Sequence, residues 1–167
     1  MSTKDRILVP ARDLFNENGT SAMSTNHIAE GAGISPGNLY CHFRNKADII
    51  RALFEEMTAY GVGEFERIQA AHPAALPARM EGTFLVIHRF NWRYRFFKRE
   101  LTALVAADPE FKERFTAVNE AHLPMTLASV RQAVDGGMLR PVEEAEARLL
   151  AEEIWLVTLF WPNYPEV

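Results

Sequence analysis

The reactive side chains of this sequence are few, and their spacing supports no catalytic site. Cys41 precedes His42, but adjacent helical residues point about 100° apart, and no activating base is placed for the thiol. His88 and His122 have neither the HxxxH nor the CxxC spacing of a metal site. We find no paired carboxylates, nucleophile–base pair or phosphate-binding loop, so the sequence predicts no enzyme, no metal and no cofactor.

The segment 88–100 (HRFNWRYRFFKRE) mixes aromatic and basic side chains. A surface of this kind can bind single-stranded nucleic acid through stacking and charge. In the alternative interpretation, the aromatic side chains fill a core while the cations stay in solvent on the other face. We favour this alternative, and therefore a structural role for the segment.

Residues 25–46 (TNHIAEGAGISPGNLYCHFRNK) indicate recognition of DNA rather than catalysis. Two short helices meet there at a tight turn, Gly33-Ile34-Ser35, and Ala29 is small enough to let them approach closely. This is the layout of a helix-turn-helix, whose second helix enters the major groove with its N-terminal end first.

The exposed residues of this motif suit contact with DNA. Ser35 and the backbone N–H groups behind it form an anion site at a helix start, suited to phosphate. Asn38 can read a base edge, whereas Tyr40 and His42 can donate hydrogen bonds to phosphate. Lys46 adds a positive charge at the start of the next helix.

Composition indicates a folded protein, but charge alone does not indicate DNA binding. Of the 167 residues, 48% are hydrophobic, and the single cysteine excludes an intrachain disulfide, as suits a reducing compartment. The formal net charge is −4, and residues 1–51 are near neutral, with six basic and five acidic side chains. A nucleic-acid binder should be basic on the face that meets phosphate.

The first residues lack a signal peptide's apolar stretch, and the nearly apolar run 154–161 is too short to cross a bilayer, so we expect a cytoplasmic protein without a membrane partner.

Capping residues and hydrophobic spacing predict the helices that position the motif. The first helix has its apolar residues at Ile7, Leu8, Ala11, Leu14 and Phe15, and Gly19 can end it. Pro10 lies inside this pattern, so the helix either begins close before Pro10 or is kinked there. Ser24 or Thr25 can cap the second helix, Ser35 the third, and Asn45 a fourth, longer one.

The rest of the chain is also predicted to be helical. Residues 73–77 (PAALP) are expected to be a linker, and residues 84–105 two helices with a bend near 92–95. The remaining boundaries are a helix start at Asp108-Pro109, a stop at Gly136-Gly137, and a last start at Pro141.

Residues 7–50 resemble the N-terminal pattern of the TetR family of bacterial transcriptional regulators, through ILVPARDLFNENG and STNHIAEGAGISPGNLYCHFRNKADII. The resemblance implies a homodimer that binds a palindromic operator in double-stranded DNA and releases it when a small molecule binds. It places recognition contacts on Pro36, Gly37, Asn38, Tyr40 and His42, and supporting contacts on Thr25, Asn26, Ser35 and Lys46. Pro10 and Gly31 depart from the family pattern, and we expect both to loosen the DNA-binding head.

We therefore expect an all-α protein with two parts. Residues 1–50 form a three-helix head with the helix-turn-helix, and residues 51–167 form a helical bundle for ligand binding and dimerisation. The expected function is a ligand-responsive regulator, a repressor released by a small apolar effector. The alternative is a DNA-binding protein with a structural or protein-partner role and no effector. A closed apolar cavity in the body would favour the first.

Amphipathic spacing suggests where the effector and a second subunit bind. The pocket is expected to be lined by Phe84, Ile87, His88, Asn91, Phe115 and Trp155, with His88 and Asn91 holding the polar end of the ligand. Residues 154–161 (IWLVTLFW) are apolar at all positions but one, so this helix needs cover on two faces. We expect a dimer interface centred on Trp155 and Leu159. By resemblance a further helix would follow, and the sequence leaves no room for it, so we expect either that a segment has been lost or that the protein dimerises through a reduced interface.

Overall fold

The computed structural model describes residues 2–71 and 76–160, and this part of the chain consists of eight helices without a strand. The all-α prediction is confirmed. The helices are α1 (Thr3–Asn18), α2 (Thr25–Gly31), α3 (Pro36–Tyr40), α4 (Lys46–Ala71), α5 (Leu76–Arg93), α6 (Arg95–Ala107), α7 (Pro109–Asp135) and α8 (Glu144–Phe160).

Local signals placed most helix ends correctly. Ser24 and Ser35 cap α2 and α3, and Asn45 accepts a hydrogen bond from the backbone N–H of Asp48 at the start of α4 (2.9 Å). Asp108 caps α7 by accepting hydrogen bonds from two backbone N–H groups. The predicted bend in the 84–105 segment is the break between α5 and α6 at Tyr94.

Three boundaries differ from the predictions. Helix α1 begins at Thr3, capped by Ser2, and runs through Pro10, so it does not begin close before the proline. Helix α5 begins at Leu76, so the end of the predicted linker is helical, and residues 72–75 lie outside the described residues. Helix α8 begins at Glu144 rather than Pro141, because Val142 first packs against a small cluster of α7 and α8 residues.

One hydrophobic core runs through both predicted parts of the chain. Ile7, Phe15, Ile28 and Leu39 of the head are fully buried in the same cluster as Phe96 of α6. The rings of Phe15 and Phe96 lie 5.4 Å apart, centroid to centroid. Packing therefore continues across residue 50, with α1 in contact with both α4 and α6.

The basic-aromatic segment is mainly structural, as favoured, but with two exceptions. Tyr94, Phe96 and Phe97 are buried. Trp92 is 58% exposed, however, with the Arg95 guanidinium 4.8 Å from its ring centroid. Lys98 is buried, so one cation of the segment does not lie in solvent. The expectation that the aromatic side chains are buried was therefore wrong for Trp92, and the expectation that the cations lie in solvent was wrong for Lys98.

Asn16 joins α1 to the junction between α5 and α6. Its side-chain N–H donates to the carbonyl oxygen of Arg93, the last residue of α5 (2.9 Å). Its side-chain oxygen accepts from the backbone N–H of Phe96, in the first turn of α6 (3.1 Å). Tyr94, at the N-cap position of α6, does not cap this helix with its side chain, whose hydroxyl donates to Glu56 instead. Asn16 therefore satisfies one terminal group of each helix that would otherwise lack a partner.

We predict that Asn16→Ala lowers the free energy of unfolding by about 2–4 kcal/mol, since each orphaned buried backbone group costs roughly 1–3 kcal/mol. Urea denaturation measures this difference. Asn18→Ala is the matched control, because Asn18 lies on the same helix and its exposed side chain bonds only to the Leu14 carbonyl. Equal effects of the two substitutions would contradict the bridging role.

Candidate nucleic-acid interface and effector region

Buried side chains fix the angle between α2 and α3. Ile28 and Ala29 of α2 and Leu39 of α3 are fully buried, and Phe43 is nearly so. The backbone N–H of Ile34 donates to the carbonyl of Ala29 (3.0 Å) and closes the turn. The intervening Gly33 has φ +65°, a conformation that favours glycine. These contacts form the predicted helix-turn-helix.

The predicted recognition residues lie mostly on the exposed side of this motif. Pro36, Gly37 and Asn38 are exposed at the N-terminal end of α3. Tyr40 is 49% exposed, and its hydroxyl lies 2.9 Å from the hydroxyl of Thr25 at the start of α2. Both hydroxyls therefore lie on the same side of the helix-turn-helix.

The remaining predicted contacts differ in how far they reach solvent. Asn26 and Ser35 are exposed, whereas His42 is half-buried. Cys41 is exposed, and its thiol donates to the Gly37 carbonyl within the helix (3.4 Å). This contact agrees with a structural role for the cysteine.

The anion site expected at the start of α3 is smaller than predicted. The Ser35 hydroxyl oxygen already accepts a hydrogen bond from the backbone N–H of Asn38 (3.2 Å). Pro36 has no N–H, so only Gly37 in this first turn has a backbone N–H that the cap leaves open. A phosphate here would therefore meet one backbone donor and the Ser35 hydroxyl rather than a row of N–H groups.

Lys46 is tied to the loop between α1 and α2. Its ammonium donates to the carbonyl oxygens of Thr20 (2.6 Å) and Met23 (2.9 Å). Two of its three N–H donors are used in this way. Lys46 therefore fixes the chain that leads into α2, and it keeps one donor for a phosphate.

Arg44 is a candidate DNA contact that the sequence reasoning missed. It follows α3, its side chain is 82% exposed, and its guanidinium makes two hydrogen bonds to the Asp48 carboxylate (2.9 and 3.2 Å). The hydrogen bond from Arg44 is the main cause that lowers the pKa of Asp48 to about 2, with a further contribution from Arg51. The sequence could have suggested this contact, because Arg44 comes directly after the segment predicted to contain the recognition helix.

Lys4 is a second candidate DNA contact that the sequence did not predict, for a different reason. It lies on α1, and its ammonium is 5.9 Å from the ring centroid of Phe43. The fold therefore brings this cation beside the end of the recognition segment. No local pattern in the sequence links Lys4 to Phe43, because the contact depends on how α1 packs.

The six residues predicted to line an effector pocket separate into two groups. Asn91 is buried, and Ile87, Phe115 and Trp155 are half-buried. Phe84 is 73% exposed, and His88 is exposed, on the outer side of α5. Two surface grooves described in the structure, along α7 and between α1 and α2, contain none of these six residues.

Several polar side chains lie in the interior between α5 and α8. Nothing in the sequence indicated that they would be close to each other. The rings of His122 and Trp155 stack with centroids 4.3 Å apart. The Asn91 side-chain N–H donates to the Thr158 carbonyl (3.4 Å). Burial and the nearby charge of Lys98 lower the pKa of His122. Lys98 and His122 thus join Asn91 and Trp155 in this region.

The two residues predicted at the centre of a dimer interface face the core of their own chain. Leu159 is buried, and Trp155 is half-buried against the main core and His122. The exposed apolar side chains of α8 lie on other sides of the helix. They are Leu149, Ile154, Leu156, Val157 and Phe160.

The all-α fold and the exposed first turn of α3 are those of a transcriptional regulator with a helix-turn-helix. Residues 7–53 match the family model described as bacterial regulatory proteins, tetR family, and residues 66–166 match the one described as bacterial transcriptional repressor. The chain belongs to the TetR family. No helix in the described ranges 2–71 and 76–160 is long and apolar enough to cross a membrane.

Individual relatives agree with this assignment. A TetR-family regulator from Marinobacter aquaeolei has a structure with a TM-score of 0.88 and 33% identity, covering 98% of this chain and 80% of that chain. The repressor KstR2 of Mycobacterium tuberculosis is 25% identical over an alignment of 168 positions, which covers 96% of this chain and 81% of KstR2. The regulator UidR of Escherichia coli is 38% identical over 71 residues, 42% of this chain and only 36% of UidR.

We predict that Lys46→Met lowers the free energy of unfolding by about 1–3 kcal/mol, because two carbonyls lose a charged donor. Lys4→Met is the matched control, since Lys4 is exposed and makes at most a weak contact with Phe43, worth under about 1 kcal/mol. Chemical denaturation of the two variants gives the comparison. If Lys4→Met is as destabilising as Lys46→Met, the loop contacts of Lys46 do not have the role assigned here.

Proposed function

We propose that this protein is a cytoplasmic homodimeric repressor that binds a palindromic operator and leaves it when an effector binds in the helical body. The observation that carries the proposal is the N-terminal end of α3. There Pro36, Gly37 and Asn38 are exposed, while Leu39, one residue further on, is fully buried and holds the helix in place. A short helix anchored in this way presents its first turn outward, as major-groove binding requires.

In this proposal each exposed residue has a distinct role. Asn38 reads a base edge, because a side-chain amide can pair with the donor and acceptor of adenine. Tyr40 and Thr25, joined through their hydroxyls, contact phosphate together with Asn26, Ser35 and His42. Phosphate contacts set affinity for all sequences, whereas base contacts set sequence preference.

The roles of Asn38 and Tyr40 can be separated experimentally. Selection from random-sequence DNA identifies the preferred operator, and fluorescence anisotropy at fixed salt then measures affinities. We predict that Tyr40→Phe weakens binding to all sequences by a similar factor. Asn38→Ala should instead remove about 1–3 kcal/mol of discrimination at one base pair of each half-site.

Asn18→Ala is the control for this experiment, because Asn18 lies on α1, outside the helix-turn-helix, and its side chain donates to the Leu14 carbonyl of its own helix. It should bind with parental affinity and preference. Parental binding by Tyr40→Phe, combined with an unchanged preference of Asn38→Ala, would rule out the proposed reading surface.

The homodimer follows from the size of a DNA half-site. Two recognition helices must be held about 34–36 Å apart to read successive turns on one face of DNA. Helix α8 offers a surface for this, because Leu156 is 53% and Val157 60% exposed. Contiguous exposed apolar side chains of this kind mark interaction sites. The proposed interface includes α8, with Trp155 and Leu159 supporting it from the core side.

We predict that Val157→Glu shifts the protein toward monomer, because the carboxylate would be desolvated in the interface. Sedimentation velocity over a concentration series reports the change. Val9→Glu places the same substitution on a partly exposed valine of α1, 38% exposed, and should leave the association unchanged. A wild-type protein that stays monomeric at high micromolar concentration would refute the homodimer.

The proposed effector region lies between α5, α7 and α8, around Ile87, Asn91, Phe115 and Trp155. The polar end expected at His88 and Asn91 is better supported at Asn91, since His88 is exposed. Phe84, also exposed, belongs to the proposed region only at its outer edge. Measuring operator release by candidate molecules separates this function from the alternative, a DNA-binding protein that responds to no effector.

A further inference from the structure

Lys98 is a buried cation with no counter-charge beside it in residues 2–71 and 76–160. The residue is 7% exposed on α6, and among residues 2–71 and 76–160 it has no hydrogen bond and no ion pair. The centroid of the Phe90 ring lies 5.9 Å from the ammonium nitrogen. Burial lowers the pKa of Lys98 to about 8. A largely buried ammonium is unfavourable unless water, an anion or other acceptors reach it.

The groups around Lys98 do not supply the missing negative charge. His122, on α7, is neutral or cationic, and burial together with the charge of Lys98 favours its neutral form. Asn91 follows Phe90 on α5 and is 5% exposed. Its side-chain oxygen is buried and has no hydrogen-bond partner among the described residues, as is also true of Asn119, one turn before His122.

The surroundings of these polar groups are apolar and aromatic. Trp155 stacks on His122, and Phe90 and Phe115 pack at the edge of the main core. Ligand sites typically combine an apolar lining with a few polar groups that converge on one end of the ligand. Lys98 and His122 supply the start of such a polar end, since they are close enough for the charge of Lys98 to lower the pKa of His122. Asn119 lies one turn before His122 on α7, and Asn91 follows Phe90 on α5.

We infer that Lys98 binds the carboxylate of an amphipathic organic acid, which is the class of effector this protein takes. The acid supplies the charge that Lys98 lacks, and its apolar part lies against the aromatic side chains. The unpartnered amide oxygens of Asn91 and Asn119 are acceptors, so they would receive hydroxyl or amide hydrogens of the same molecule. This inference rests on the proposed effector-responsive function and replaces a purely apolar effector with an acidic one.

The test uses matched pairs of an acid and its alcohol as probes. Decanoate with decan-1-ol, 4-phenylbutyrate with 4-phenylbutanol, and cyclohexanebutyrate with cyclohexanebutanol vary the apolar part while keeping the difference in charge. Thermal unfolding of the full chain without DNA is recorded with each probe. We expect at least one acid to raise the melting temperature of the wild type by several degrees more than its alcohol.

Lys98→Met decides whether this preference depends on the buried ammonium. Methionine is unbranched, apolar and adaptable in cores, so the variant should melt no lower than the wild type without probe. It should lose the preference for the acid while keeping the response to the alcohol. Lys112→Met is the control, because Lys112 is exposed on α7, and it should keep the preference for the acid.

Two results would overturn the inference. One is a panel in which no acid stabilises the wild type more than its alcohol, and the other is a Lys98→Met protein that keeps the preference. Failure of the effector function is seen separately, in operator binding. An acid that binds through Lys98 but does not release DNA would refute the proposed regulation and leave the Lys98 site standing.

Discussion

The structure depends on a set of polar contacts between the end of α1 and helix α6. Asn16 satisfies one terminal group of α5 and one of α6, and Arg99 of α6 donates in return to the carbonyl of Asn16 (2.6 Å). Glu100 of α6 accepts from the backbone N–H of Thr20 (3.0 Å), just past the end of α1. Gly19 permits this approach, because it has φ +78° and a Cβ there would lie 2.9 Å from a Glu100 carboxylate oxygen. The orientation of the DNA-binding head on the body is therefore fixed by buried groups that lose their partners if the two parts separate.

A second connection links the body to the recognition helix through charges. Arg51 of α4 donates to Asp108, the cap of α7 (2.6 Å), and also to Asp48. Asp48 in turn holds Arg44, which follows α3. A movement of α7 relative to α4 would change the partners of Arg51 and so the restraint on Arg44. The polar interior around Lys98 and His122 includes α7, so the proposed ligand would contact a helix that also takes part in this network.

The sequence predicted well the features that depend on neighbouring residues and poorly those that depend on distant ones. The caps of α2, α3 and α4 and the turn at Gly33 involve groups within a few positions of each other, and all were found. The family and the all-α fold were predicted correctly for the same reason, since the motif is continuous. Asn16 and Phe96 are 80 positions apart, and the roles of Asn16, Lys98 and Lys46 depend on partners that no local spacing reveals.

The pocket and dimer residues were inferred from helical periodicity, which shows that a face is apolar but not which neighbour covers it. The structure places Trp155 and Leu159 toward their own core.

Pro10 and Gly31 show how two apparent weaknesses can be a single structural feature. Each departs from the family pattern, and glycine in a helix costs about 1 kcal/mol relative to alanine. In the structure, a Cβ at Gly31 would lie 3.4 Å from the Cβ of Pro10 and 3.4 Å from a methyl carbon of Leu14. The glycine of α2 therefore faces the proline ring of α1, and its lack of a side chain allows the two helices to pack closely at that point. The two departures from the family pattern therefore lie against each other, and the loosening of the head expected from them stays a prediction.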